Sequence, residues 1–396
     1  MIRNKNVWIL ILSSGISDIA NWIYRIAVLN YAVTVYNTAF SSSVVSLLMI
    51  LPSVLFGFYA GKLADSKNKK HIMLVCDAIR ILMVIALGIT MDIGILFILL
   101  ISSAAVFADV CEDSILPELA SKDELPKINS IYSFLSSGLM IVGPVIGGLV
   151  STYLSVSNTI ILIVCLLVCA GIIRSLLKYH CKQHDKMADK EHNTRTLVDV
   201  FRVVRRNRVL NSVLSTVGIV SLASGMLNAL LIIFVYQILG KNSSDYGILL
   251  SAKGIAMTIA SFLLIGIIRK LNNEKAYTIS LTVMGLCTFF FSLCHVWVLS
   301  IAIQCILAIS NIVYSVARKT LIQQNCEQII MGRYFGLMVL VSNFASVISL
   351  IIFGSISDYI GVVASFQIGG VLTIVSGILA YAILCRVHRN NGIDAT

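Results

Sequence analysis

An ionisable side chain inside a long apolar run is costly, so wherever one stands it marks a candidate site. Asp18 lies about 11 residues into the first apolar run, about 16 Å along a helix at 1.5 Å per residue. Asp18, Asn21 and Arg25 are spaced i, i+3, i+7 and share one helix face. Two chemistries fit that face. Asp18 could take up and release a proton or touch a bound molecule, or it could form an ion pair with Arg25. A carboxylate carries protons only if its pKa reaches the working pH, and burial and a nearby Arg push that pKa in opposite senses. Lys253 stands about eight residues into the eighth apolar run, again near mid-depth. It is a second candidate for contact with a bound molecule. Asp77 and Arg80, one turn apart, read as a structural pair.

Two glycine-bearing segments add a mechanical signal. The first reads Gly61-Lys-Leu-Ala-Asp65-Ser-Lys-Asn-Lys69-Lys70, between the second and third apolar runs. Gly61 would let two helices approach closely, and Asp65 can face the N-terminus of a neighbouring helix, where the dipole favours an anion. Lys69 and Lys70 can pair with acids at the end of the fourth run, such as Asp109, Glu112 and Asp113. Such pairs could break and reform between two global states. A plain basic turn is the alternative. In the second half of the chain Lys270 stands where the Asp would be, so a second copy of this device is expected to be lost or altered. The other segment is Gly143-Pro144-Val-Ile-Gly147-Gly148 in the fifth run. Pro144 bends a helix and frees a carbonyl; the three glycines permit close helix packing.

The elements that must hold these residues follow from composition. Of the 396 residues, 58% are hydrophobic and 12% charged, against roughly 45–50% and about 25% in a soluble domain. Mean hydropathy is +0.93. A soluble core cannot absorb that much apolar surface, which excludes a soluble enzyme and a disordered chain. At about 20 residues per span the chain has room for about 12–14 spans. The continuous runs lack the alternation of a membrane β-barrel. Twelve runs are legible: 7–35, 43–64, 72–92, 94–112, 128–153, 157–177, 209–239, 245–268, 276–294, 296–317, 334–355 and 361–385. The first run carries no small-residue cleavage site and is expected to be a retained helix. The one long polar segment is 178–208. The expected organisation is a six-helix bundle over 1–177, a basic linker over 178–208 and a second six-helix bundle over 209–396. Within the linker, Leu197, Val198, Phe201, Val203 and Val204 interleave with charges, which suggests an amphipathic helix on the inner leaflet or a solvated connector.

Charge fixes the expected orientation. The net charge is +11. With the N-terminus inside, 26 of the 30 Lys and Arg fall on the cytoplasmic side, only Lys241 falls in an outer loop, and Arg25, Arg80 and Lys253 lie within spans. This positive-inside asymmetry places both termini and the linker in the cytoplasm and the protein in the cytoplasmic membrane. The basic excess therefore points to a lipid bilayer, not to nucleic acid. The halves also repeat. At an offset of 206, Lys127 meets Arg333, Gly148 meets Gly354 and Tyr153 meets Tyr359; at 205, Gly61 meets Gly266 and Lys70 meets Lys275. Parallel duplication of this kind characterises transporter folds, with the substrate between the halves near the midplane.

The loop resembles the G-x-L-a-D-r-x-G-r-r motif of the major facilitator superfamily, with Ser66 for the usual Arg and Asn68 for a Gly. The fifth-run segment is similar to the G-P-x-x-G-G core of efflux members. Ser17-Asp18 with Tyr24-Arg25-Ile-Ala, Pro52, Asp77-x-x-Arg80, Leu116-Pro117-Glu118-Leu119, Gly332-Arg333 and Gly354-Ser-Ile-Ser-Asp358 resemble the macrolide-efflux-like and enterobactin-exporter-like branch. The resemblance covers nearly the whole chain. It implies a twelve-helix permease with alternating access, whose first, fourth, seventh and tenth helices line the cavity. The implied liners are Asp18, Asn21 and Arg25, then Asp109, then Asn228, then Gln304 and Asn311.

The expected function is proton-coupled efflux of an amphipathic small molecule, a macrolide or other drug, with a siderophore or other metabolite as the alternative cargo and an importer of the same fold as a further one. No G-x-x-x-x-G-K-[ST] phosphate loop, H-E-x-x-H or nucleophile elbow occurs, so neither direct ATP drive nor an enzyme is expected. No cofactor is expected either; the proton gradient is the expected energy source. The ten Cys and the spacing of His180, His184 and His192 fit no metal site. A monomer is expected.

Overall fold

The computed structural model describes residues 5–36, 38–90, 94–119, 125–179, 207–267, 272–326 and 328–393. These residues form helices throughout, twelve among those described. They are α1 Lys5–Tyr36, α2 Ala39–Ser66, α3 Lys69–Thr90, α4 Ile95–Leu119, α5 Leu125–Tyr153, α6 Val156–Ser175, α7 Arg208–Gln237, α8 Ser243–Ile267, α9 Asn273–Ser292, α10 Trp297–Asn325, α11 Gln328–Ile360 and α12 Val362–Ile393. Eleven of them are long and apolar enough to cross a membrane. Each expected run has become one helix. The charged linker residues 180–206, the three linker histidines and Lys270 lie outside the described residues.

Short polar residues set the helix ends. Thr38 accepts from the Ser41 amide at 3.2 Å and Ser155 from the Asn158 amide at 3.3 Å. Asn207 accepts from Val209 at 3.0 Å, and Asn272 accepts from Glu274 at 2.9 Å. Asn242 accepts from Ser244 and Asp245, while Asp245 reaches back to the Asn242 amide at 3.3 Å, a reciprocal capping box. Gly361, with φ +86, turns α11 into α12. Such caps satisfy the end donors in very few residues, which allows twelve long helices in so short a chain. Large apolar side chains point outward, Ile89 at 78% exposure among them, as a hydrocarbon solvent permits.

The chain divides into two compact units, Met1–His184 with Val235–Ser251, and Asp185–Phe234 with Ala252–Thr396. The expected boundaries at 177 and 209 carried no such exchange. The 235–251 segment, which ends α7 and begins α8, groups with the first unit for visible reasons. Tyr236 donates to Asn30, Ser251 donates to the Ile141 carbonyl, and the Ser244 amide donates to Thr152 Oγ1 at 3.0 Å.

In the first unit α1 packs on α5 and α6, α3 on α4 and α6, and α2 on α4. One apolar core joins Val7, Leu10, Met73, Cys111, Ile115 and Leu177. In the second unit α9 packs on α10 and α12, which repeats the α3–α4 and α3–α6 pairings six helices later. The two α3–α6-type contacts are built differently. In the first unit Asp77 and Arg174 join α3 to α6 by an ion pair. In the second, backbone meets backbone: a Cβ on Gly285 would lie 2.7 Å from the Gly370 carbonyl oxygen, and one on Gly370 would lie 2.9 Å from that of Gly285. At the offset of 206, Asp77 meets Val283 and Arg174 meets Ala380.

Candidate functional site

The charged residues of the first unit form one buried lattice. Arg174, from α6, is 1% exposed. Its Nη1 lies 2.6 Å from Asp77 Oδ2 on α3 and its Nη2 3.3 Å from Glu112 Oε2 on α4. Arg80, one turn after Asp77, approaches Asp77 Oδ1 at 3.7 Å. It donates to Ser17 Oγ at 3.0 Å and to Asn21 on α1. Tyr132 on α5 donates to Glu112 at 2.8 Å. Two cations and two carboxylates balance, and they tie five helices together. Isolated ions would not stand such burial; pairing and hydrogen bonding make it tolerable.

This lattice places several sequence-derived residues. Asp77 and Arg80 are both buried and close, as a structural pair should be, but Arg174 is the nearer partner of Asp77. Asn21 serves the lattice by accepting from Arg80. Asp18 is half-buried on α1, and among the described residues no ion pair joins it to Arg25. Arg25 is exposed and sits 5.8 Å from the Trp22 ring centroid. The i, i+7 spacing puts the two charges on one face but two turns apart, and the guanidinium turns to the ring between them. Asp109 and Asp113 are exposed on α4. Sequence reading missed Arg174 altogether, counting it among cytoplasmic charges. Its position inside the apolar run 157–177 was the signal.

The loop after α2 departs from expectation in two ways. Lys69 pairs with Glu118 at 2.5 Å, two turns beyond the acids expected to hold it, because Glu112 is already engaged by Arg174 and Tyr132. Tyr179 also donates to Glu118. Lys70 donates to the Ser175 carbonyl at 2.7 Å, at the end of α6, where the helix dipole favours a cation. Among the described residues a Cβ on Gly61 would meet nothing within 4 Å. Asp65 stands in the last turn of α2, and its side chain lies outside the described residues.

The fifth-helix motif does make close contacts. A Cβ on Gly143 would fall 2.4 Å from the Trp22 ring and one on Gly147 3.0 Å from the Trp22 carbonyl oxygen. On the other side, a Cβ on Gly148 would lie 2.6 Å from the Ser243 carbonyl oxygen, and one on Gly247 2.3 Å from that of Pro144. The motif thus seats α1 and the start of α8 against α5, and Ser251 bonds the Ile141 carbonyl one turn before Pro144.

The second unit holds a cavity of about 260 Å³. Asn228, Lys253, Gln304 and Asn311, from α7, α8 and α10, all line it, with Ser224, Thr288 and Thr373 and an apolar wall that includes Leu231, Phe291 and Phe366. Four residues singled out on three different apolar runs therefore meet at one place, and α8 lines the cavity alongside α7 and α10. Among the described residues the first unit's own pocket, about 110 Å³, is lined mainly by apolar side chains around Tyr24, Asn30 and Tyr31.

The family model described as Major Facilitator Superfamily matches residues 10–349 and, in a second alignment, 213–394. The chain belongs to the Major Facilitator Superfamily. It is thus a multi-pass membrane transporter that binds a small-molecule substrate, and not an enzyme. The chain is 20% identical over 396 residues to the staphyloferrin A transporter of Staphylococcus aureus (strain NCTC 8325 / PS 47), covering 96% of this chain and 98% of that one. An uncharacterised superfamily transporter of Bacillus subtilis (strain 168), YfmI, is also 20% identical, over 96% of each chain. Among solved structures, the nucleoside transporter NupG superposes with a TM-score of 0.80 at 12% identity, covering 96% of this chain and 99% of that one. A bacterial homologue of the iron transporter ferroportin, in its inward-facing state, gives 0.72 at 11% identity over 96% and 98%. At these identities the structures establish the superfamily fold.

Proposed function

We propose that this transporter is a proton-coupled exporter of an amphipathic small molecule, working by alternating access in the cytoplasmic membrane with both termini inside. The observation that carries export is the Gly143-Pro144-x-x-Gly147-Gly148 segment. Its glycines seat backbone and the Trp22 ring at distances no larger residue allows, and the motif resembles that of efflux members. Asp18 is the proposed proton carrier, because it is half-buried at mid-helix and has no ion-pair partner among the described residues. The Lys69–Glu118 and Lys70–Ser175 contacts are the proposed latch, since they tie the α2–α3 loop to the ends of α4 and α6. Drug-like macrolides are one cargo on motif resemblance. A siderophore or similar metabolite is the second reading, favoured by the full-length similarity to the staphyloferrin A transporter.

Everted membrane vesicles with an imposed pH gradient test this reading. An exporter accumulates cargo when the vesicle interior is acidic, and collapsing the gradient abolishes accumulation. Accumulation with the opposite gradient alone would make the protein an importer. Accumulation indifferent to the gradient would remove proton coupling.

A further inference from the structure

We propose that the cavity of the second unit is an anion subsite, in which Lys253 takes a carboxylate of an amphipathic organic acid. The proposal deepens the exporter reading above by giving the class of cargo, and rests on it only for the direction of transport.

The donor set makes the case. Lys253 brings three N–H donors and a positive charge to the cavity, and the lining residues include no Asp or Glu. Among the described residues, Lys253 makes no ion pair. The carboxamides of Asn228, Gln304 and Asn311 also line the cavity, and none of them makes a side-chain hydrogen bond among the described residues. Each carries two further N–H donors. The hydroxyls behave differently. Ser224 donates to the Val220 carbonyl at 2.8 Å, Thr288 to that of Met284 at 2.9 Å and Thr373 to that of Gly369 at 2.8 Å. Their protons are spent on their own helices. What remains to be offered to a ligand is one cation, three carboxamides that can each donate or accept, and no anion.

That set matches a carboxylate, which accepts at two oxygens and donates nothing. A cationic ligand would meet like charge in a low-dielectric wall. A wholly apolar ligand would leave the ammonium without a partner. The apolar wall of Leu231, Phe291 and Phe366 takes the hydrocarbon part of the same molecule. Among the described residues, the two buried arginines of the first unit, Arg80 and Arg174, are already bonded to Asp77 and Glu112, so neither is free to take a ligand anion.

The test is ligand-induced thermal stabilisation of the purified full chain in detergent, with no gradient. The probes are citrate, decanoate, their neutral methyl esters and decylammonium. The expected result is dose-dependent stabilisation by at least one carboxylate, at least tenfold weaker or absent for its ester and for decylammonium. Lys253→Met should weaken that carboxylate about tenfold or more, the range expected for a charged hydrogen bond. Lys253→Arg should keep most of the effect. The proposal is overturned if no probe carboxylate stabilises better than its ester, if decylammonium does equally well, or if Lys253→Met leaves the carboxylate preference intact. Because no gradient is applied, a loss of proton-driven export in vesicles would leave this result standing, and the reverse also holds.

Discussion

Replacing Arg174 by Met should be among the most damaging single changes in the first unit. The guanidinium is 1% exposed, lies 2.6 Å from Asp77 and 3.3 Å from Glu112, and bridges α6 to α3 and α4. Met fills a similar volume, so the loss is electrostatic. Two carboxylates would remain in the interior, with Arg80 at 3.7 Å from Asp77 as the remaining cation of the lattice. Breaking a buried pair by removing one partner costs about 3–5 kcal/mol. For a unit of this size, 1 kcal/mol moves the melting midpoint by about 2–4 °C, so the expected fall is roughly 6–20 °C. The assay is thermal unfolding of the detergent-purified protein as a double-mutant cycle with Asp77→Asn. Neutralising Asp77 as well removes one of the two carboxylates that Arg174 held and leaves Arg80 and Glu112 as one cation and one anion, so the double variant should recover about 0.5–3 kcal/mol relative to the sum of the single losses. An Arg174→Met protein melting within about 1 °C of the parent, or strictly additive losses, would refute the view that these charges sustain each other.

Other expectations follow from the remaining contacts. Gly247→Ala places a Cβ 2.3 Å from the Pro144 carbonyl oxygen, so it should cost about 1–3 kcal/mol and depress transport. Gly61→Ala, with open space around it, should melt and transport as the parent does; equal behaviour of the two variants would dismiss the packing argument. Asp18→Asn should stop gradient-driven export yet preserve substrate exchange, and adding Arg25→Gln should not repair it; restored active transport in the double variant would return the pair to a structural role. Asp65→Asn should cut transport severely without reducing the amount of inserted protein, and full transport at normal expression would take the loop out of the mechanism.

The helices were legible because a bilayer demands about 20 apolar residues per span, and that demand writes itself into composition run by run. Of the four cavity residues of the second unit, Lys253 was legible as a charge in an apolar run, whereas Asn228, Gln304 and Asn311 were implied by the family resemblance, as polar residues of the seventh and tenth helices. Partner choice was not legible. Asp18 and Arg25 satisfy a helical-face rule, yet the face rule says nothing about the Trp22 ring that draws the guanidinium aside. Glu112 was expected to receive Lys69, but Arg174, close to it in space and 62 positions away in sequence, reaches it first. Gly61 and Gly148 look alike as letters; only the neighbouring backbone, among the described residues, separates a glycine with open space from one with the Ser243 carbonyl oxygen against it.

The contrast between the ionic α3–α6 contact and the glycine-built α9–α12 contact bears on how such a protein can diverge. In the first unit Asp77, Arg80, Glu112 and Arg174 lean on each other, so a change at one of them is tolerated only if another changes with it. Such epistasis freezes a sequence. In the second unit Lys253 and the three carboxamides make no ion pair or side-chain hydrogen bond among the described residues, so single exchanges there orphan no polar partner. If the proposed subsite takes the cargo, that cavity can be altered one residue at a time, while the charged interior of the other half can change only by compensating pairs.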